Sequence, residues 1–154
     1  METLQIDKAN ALKAHEDANI KGKILLENLF GKNIFLKDIK DRIKNFDDVL
    51  NENGITKEDF ENSCKGLELD EIAYRKAKLV CLAFNEGWKP NWNNSKEYKY
   101  SPWFKMDGGF SYNGYAHGVT GSSVGSRLCF ESADLAKYAG QLFEQEIYKP
   151  LFTI

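Results

Sequence analysis

The chain is short of the residues that build metal centres, disulfide frameworks and membrane spans. It has two histidines, three cysteines, three prolines and two methionines in 154 residues. His15 and His117 are far apart and stand in no ligand-spaced cluster, so no metal is expected, and no motif implies a cofactor. Cys64, Cys81 and Cys129 form an odd set without CxxC spacing, each in an apolar or helical context such as Leu79-Val80-Cys81-Leu82. They read as buried free thiols of a reducing compartment, which places the chain in the cytoplasm. The longest apolar run, Leu79 to Phe84, is far too short to cross a bilayer, and no N-terminal segment joins a basic stretch to an apolar one. No membrane partner is expected, and a chain opening on Met1 reads as a full-length product.

A large excess of one charge is also missing. The net charge is −2 overall, made of −3 over 1–86, +3 over 87–130 and −2 over 131–154. The central stretch is the only basic part, and its excess is smaller than a strong nucleic-acid binder carries. What remains fits one ordinary globular domain, with 42% apolar and 29% charged residues. The expected organisation is a single domain over 1–154: mainly helical over 1–86, aromatic-rich and β over 87–131, and a C-terminal helix over 132–149.

Periodicity supplies the elements. Residues 7–30 carry apolar side chains at helical steps, with Asp7 as N-cap, Gly31 as the stop and Gly22 weakening the middle, so that the run is two helices or one bent helix. Asn33 to Leu36 is a short buried strand or a docking loop. Ile39, Ile43, Phe46, Val49 and Leu50 share one helical face ending at Gly54, and the charges opposite alternate in sign as on a solvated face. Thr56 as N-cap, Asp59 in the first turn and an Ile55–Phe60 staple predict a helix start, followed by a longer helix over Leu69 to Asn85.

From Trp88 the chemistry changes. Nine of the twenty aromatic residues, including all three tryptophans, lie between Trp88 and Tyr115. Alternation places Tyr98, Tyr100, Phe104 and Met106 on one face of an edge strand and Lys99, Trp103 and Lys105 on the other. Asp107-Gly108-Gly109 is the turn, and Phe110, Tyr112 and Tyr115 return. Arg127 to Phe130 forms a third strand. Ser132 caps a last helix with a stripe of Leu135, Tyr138, Ala139, Leu142, Phe143 and Ile147 that ends at Pro150 and packs on the inner face of the sheet. The fold class is therefore α+β, with a helical N-terminal half, a small antiparallel sheet of about three strands and a C-terminal helix packed on it.

Function is less legible. A glycine- and serine-rich stretch, His117 to Arg127, can cradle a phosphate with backbone amides, hydroxyls and Arg127, but the spacing is not that of a P-loop. The candidate binding residues are Trp92, Lys99, Trp103, Lys105, Ser122, Ser123 and Arg127. The segments FNEGWKPNWNNSKEYKYSPWF, SSVGSRLCF and ADLAKYAGQLFEQEIYKPLF, with LFGKNIF and KDIKDRIKNFDDVL earlier, resemble those of a family of small proteins carried by phages and mobile elements of gut anaerobic bacteria. That resemblance implies an intracellular, phage-derived origin and carries over no functional residue. The first reading is a non-enzymatic interaction or assembly protein, with a homo-oligomer or a phage or host protein as partner. A second is single-stranded nucleic-acid binding, with Trp92, Tyr98, Tyr100, Trp103 or Tyr112 stacking on bases and Lys96, Lys99, Lys105 and Arg127 meeting phosphates. The third is a small enzyme around His117 with Cys129, Ser122, Ser123 or Ser126 as nucleophile; no catalytic residue is assigned.

Overall fold

A computed structural model describes residues 6–121 and 128–153, with nothing described of the Asn33 side chain. The chain divides into two compact units, Met1–Arg42 and Ile43–Ile154.

In the first unit, α1 (Lys8–Asp17) and α2 (Ile20–Phe30) are separate helices. The break falls at Ala18 and Asn19 rather than at Gly22, because the Asn19 side chain accepts from the Gly22 N–H at 3.0 Å and caps a new helix. Asp7 caps α1 as expected, accepting from Ala9 N and Asn10 N. The two helices are joined side by side through His15, which bonds Glu27 at 3.0 Å and stacks on Phe35 at 4.1 Å. Phe35 belongs to a 3₁₀ turn, Lys32–Phe35, where a strand or loop was expected. A short helix, α3 (Ile39–Arg42), closes the unit, and its Arg42 guanidinium donates to the carbonyls of Leu36 (3.0 Å) and Lys37 (3.2 Å).

The second unit is built around α6 (Leu69–Phe84), whose Ala73, Ala77, Val80, Cys81 and Phe84 are buried. Before it come α4 (Phe46–Glu52), capped by Asn45, and α5 (Lys57–Ser63), capped by Thr56. The single helix expected over Ile39 to Leu50 is thus divided at Asn45, which accepts from the Asp48 N–H at 3.0 Å. Phe46 and Phe60 meet edge to face at 5.1 Å and join α4 to α5.

The sheet is a hairpin of β1 (Lys99–Lys105) and β2 (Ser111–Gly118), running from the Lys99↔Gly118 pair to Lys105↔Ser111. Its turn uses Gly108 and Gly109 at φ of +69° and +121°, which only glycine adopts without strain. A register shift between Trp103 and Phe104 leaves Asn113 as the extra residue of a bulge.

Among the described residues there are two strands, not three. The expected third strand is reduced to one bridge, with Tyr100 N–H donating to Phe130 O at 3.0 Å and Phe130 N–H to Tyr100 O at 2.8 Å. Arg127 lies outside the described residues. Pro102, the β1 residue that would pair next with Leu128, has no N–H to donate, and Leu128 O accepts instead from Ser101 Oγ at 3.2 Å. The other edge of Phe130 is closed by a side chain. There the buried Asn85 side chain donates to Cys129 O at 2.8 Å and accepts from Glu131 N–H at 3.0 Å. One amide side chain at the end of α6 thereby supplies the donor and acceptor that another strand would have supplied.

The C-terminal helix packs on the hairpin as expected. Ser132 caps α7 (Ala133–Leu142), accepting from Leu135 N–H at 3.2 Å. A π-helical turn, Glu144–Tyr148, and α8 (Lys149–Phe152) come next, so the chain stays helical beyond Pro150. Gly140 marks the closest approach to the sheet: a β-carbon there would stand 2.7 Å from Pro102 Cβ and 2.9 Å from the Tyr112 ring. The wide π turn brings Glu144 back to accept from Tyr112 N–H at 2.8 Å. Phe104 fills the remaining space against Phe110, Tyr148 and Phe152, with ring centroids 4.8, 4.8 and 5.9 Å away. No helix among the described residues is long and apolar enough to cross a membrane.

Candidate interaction surface

The C-terminal helical segments pack on one end of the hairpin only. α7, the π turn and α8 cover the turn end of one hairpin face, where Pro102, Phe104 and Tyr112 lie. The same face continues past them through Tyr100, Tyr115 and His117, which the register pairs as Tyr100↔His117 and Pro102↔Tyr115. Tyr98 precedes β1 on the same side.

These four residues form one cluster. Tyr98 stands edge to face on His117 at 4.8 Å and lies 6.2 Å from Tyr100. Tyr100 meets Tyr115 at 5.7 Å and His117 at 6.0 Å. Tyr98 and Tyr115 are about half exposed and His117 is exposed. Tyr100 is held from both sides, by His117 on β2 and by the Phe130 bridge, so the cluster sits on a fixed backbone. Such a platform presents large, rigid, amphipathic rings that lose little entropy on being covered.

Lys99 does something other than expected. The ammonium is buried at 3% exposure and donates to the carbonyls of Asn91 (2.6 Å) and Glu97 (2.9 Å). It pairs with Glu97 Oε1 at 3.1 Å and lies over the Trp92 ring at 5.4 Å. Glu97 also accepts from Asn91 N–H at 2.7 Å. That backbone bond, together with the bond from Lys99, holds the Glu97 carboxyl below the ordinary carboxylate range. Lys99 is therefore the post around which the loop preceding β1 is wound, and Trp92 is half-buried against it. The Lys99 ammonium is not presented to a ligand.

Trp103 and Lys105 remain exposed on β1, with Lys105 3.8 Å from Asp107. Ser122, Ser123 and Arg127, with the rest of the glycine–serine stretch from 122 to 127, lie outside the described residues. Trp103 and Lys105 thus stay exposed two positions apart on β1, whereas the Lys99 ammonium is engaged by the preceding loop and lies over Trp92. Tyr98 and Tyr100, which alternation assigns to the inner face, are the ones the helix leaves bare.

The chemistry near His117 is sparse. Cys129 is buried, and burial pushes its thiol pKa up, away from the thiolate a nucleophile needs. Cys81 is shifted the same way by burial, with Cys129 nearby adding to it. Among the described residues no group of three or more His, Cys, Asp or Glu side chains could hold a metal ion. A groove of about 580 Å³ lies between α4, α5 and α6, floored by Phe46, Leu50, Phe60 and Ile72. On its rim Lys76 pairs with Glu146 at 2.7 Å and Lys57 with Asp47 at 3.8 Å, and Glu61 and Lys65 add one charge of each sign. No family model, curated protein or solved structure matches the chain.

Proposed function

We propose that this is a non-enzymatic interaction protein, of phage or mobile-element type, that docks a protein partner on the bare end of its hairpin. The observation that carries the reading is the fixed cluster of Tyr98, Tyr100, Tyr115 and His117. Tyrosine-rich, preorganised patches of this kind supply contact area at protein interfaces, and central aromatics dominate their energetics. Single-stranded nucleic-acid binding would use the same rings for stacking, but it needs cations beside them. Lys99, the lysine nearest the rings along β1, has its ammonium bound to the loop, which favours a protein partner.

The test compares the parent chain with Tyr98→Ala/Tyr115→Ala in pull-downs from host extract and in oligonucleotide titrations followed by tryptophan fluorescence. A protein retained by the parent and lost by the double variant is the expected result. Equal retention by both contradicts the proposed face. Salt-sensitive oligonucleotide binding lost in the variant would transfer the function to nucleic acid.

A further inference from the structure

We propose that the partner docks as an added strand: an extended segment of another protein lies along the free edge of β2 from Gly114 to Gly118 and bonds its backbone. The proposal rests on the interaction reading above and names the kind of partner that surface takes. The bridge at Phe130 fixes which backbone groups are free. Tyr100 directs both its N–H and its C=O to Phe130, so Tyr100↔His117 is a pair without hydrogen bonds between β1 and β2. The ladder alternates from there: Lys99↔Gly118 and Ser101↔Ala116 are bonded pairs, and Pro102↔Tyr115 is not. The N–H and C=O groups of Tyr115 and His117 therefore point away from β1, and among the described residues nothing bonds them. Nearer the turn the edge is closed, because Tyr112 N–H donates to Glu144 at 2.8 Å and the bulge at Asn113 interrupts the ladder. Native edge strands are ordinarily covered or carry Lys or Pro. The run from Gly114 to Gly118 has neither residue, and Tyr115, Ala116 and His117 are exposed.

The free groups dictate the chemistry of the occupant. A donor and an acceptor on each of two residues, two positions apart, match an extended backbone. The added residues opposite Tyr115 and His117 fall on the ring-bearing face, so apolar side chains two positions apart are expected there. The residue between them points to the other face, beside Ala116. A second copy of this chain would bring only the same short edge, far less than the roughly 800 Å² per partner of a standard interface. An extended segment needs no more than this edge and the rings beside it.

The probe is a peptide enriched from a displayed random library on the immobilised parent chain, and the readout is amide hydrogen exchange of the full chain by NMR. In the free chain the Ala116 and Gly118 amides should exchange slowly and those of Tyr115 and His117 fast. With the peptide bound, the latter two should slow by about tenfold or more. The peptide should carry apolar residues two positions apart, bind His117→Val, which keeps the amide, and bind His117→Pro, which lacks it, about tenfold more weakly or worse. Failure to enrich any peptide, or unchanged exchange at Tyr115 and His117 in the complex, overturns the added strand. Binding lost in Tyr98→Ala/Tyr115→Ala without protection of those amides in the parent overturns it while leaving the aromatic surface in place. Protection that persists in that double variant supports the strand and contradicts the role of the rings. Dimers of the parent that His117→Pro abolishes would assign the edge to a second copy and overturn the partner named here.

Discussion

Asn85→Ala removes the side chain that closes the far edge of the Cys129–Glu131 segment, where a further strand would otherwise pair. Asn85 is 9% exposed and makes two bonds, at 2.8 Å to Cys129 O and 3.0 Å from Glu131 N–H. The truncation leaves a buried carbonyl and an N–H without partners, each costing about 1–3 kcal/mol less whatever water recovers, so the loss is expected to be about 2–4 kcal/mol. With a urea slope of about 2 kcal/mol/M, the unfolding midpoint drops by roughly 1–2 M. Equilibrium urea unfolding followed by tryptophan fluorescence measures it. Asn93→Ala is the control, since Asn93 is exposed and a change there should stay within about 0.5 kcal/mol. Asn85→Asp keeps the acceptor for Glu131 but sets a carboxylate against the Cys129 carbonyl, so it should fall on the destabilised side too. An Asn85→Ala midpoint equal to that of the control would refute the role given to this amide.

Three further outcomes are expected from the same contacts. Gly140→Ala gains about 1 kcal/mol of helix propensity, yet its β-carbon collides with the rigid Pro102 ring, and overpacking of about 1–3 kcal/mol should leave the variant less stable in thermal unfolding. Tyr148→Phe has the opposite sign, because the buried Tyr148 hydroxyl has no hydrogen-bond partner among the described residues; unfolding should show stability unchanged or raised by up to about 2 kcal/mol, and a loss of that size would contradict it. For Glu97 the folded pKa is depressed, so its contribution is present above the ordinary carboxylate value near 4.5 and fades as pH falls from there through the lowered value. The Trp92 indole N–H resonance should therefore move over that acidic range in the parent and stay flat in Glu97→Gln.

Much of the secondary structure could be read from residues because its determinants are local. Asp7, Thr56 and Ser132 bond amides two or three positions ahead, and each helix begins where its cap says. Asn19 and Asn45 use the same chemistry inside runs whose apolar spacing continues unbroken, so periodicity alone does not show where one helix gives way to the next. The far edge of the Cys129–Glu131 segment is closed by Asn85, which lies more than forty positions away, and no local pattern announces such a pairing. Lys99 misled for a related reason: alternation places it on a face, but three carbonyls and a carboxylate from the preceding loop decide where its ammonium goes. On the candidate surface, Trp103 was legible as an exposed aromatic. The Tyr98, Tyr100, Tyr115 and His117 cluster required knowing how far the helix reaches along the hairpin.

The claim that this bare end is the binding surface is tested most directly by hydroxyl-radical footprinting of the chain, free and in complex with whatever protein it retains from host extract. Modification of Tyr98 and Tyr115 should fall on binding while that of Tyr74, on α6, stays unchanged. Unaltered modification of both hairpin tyrosines in the complex would contradict it.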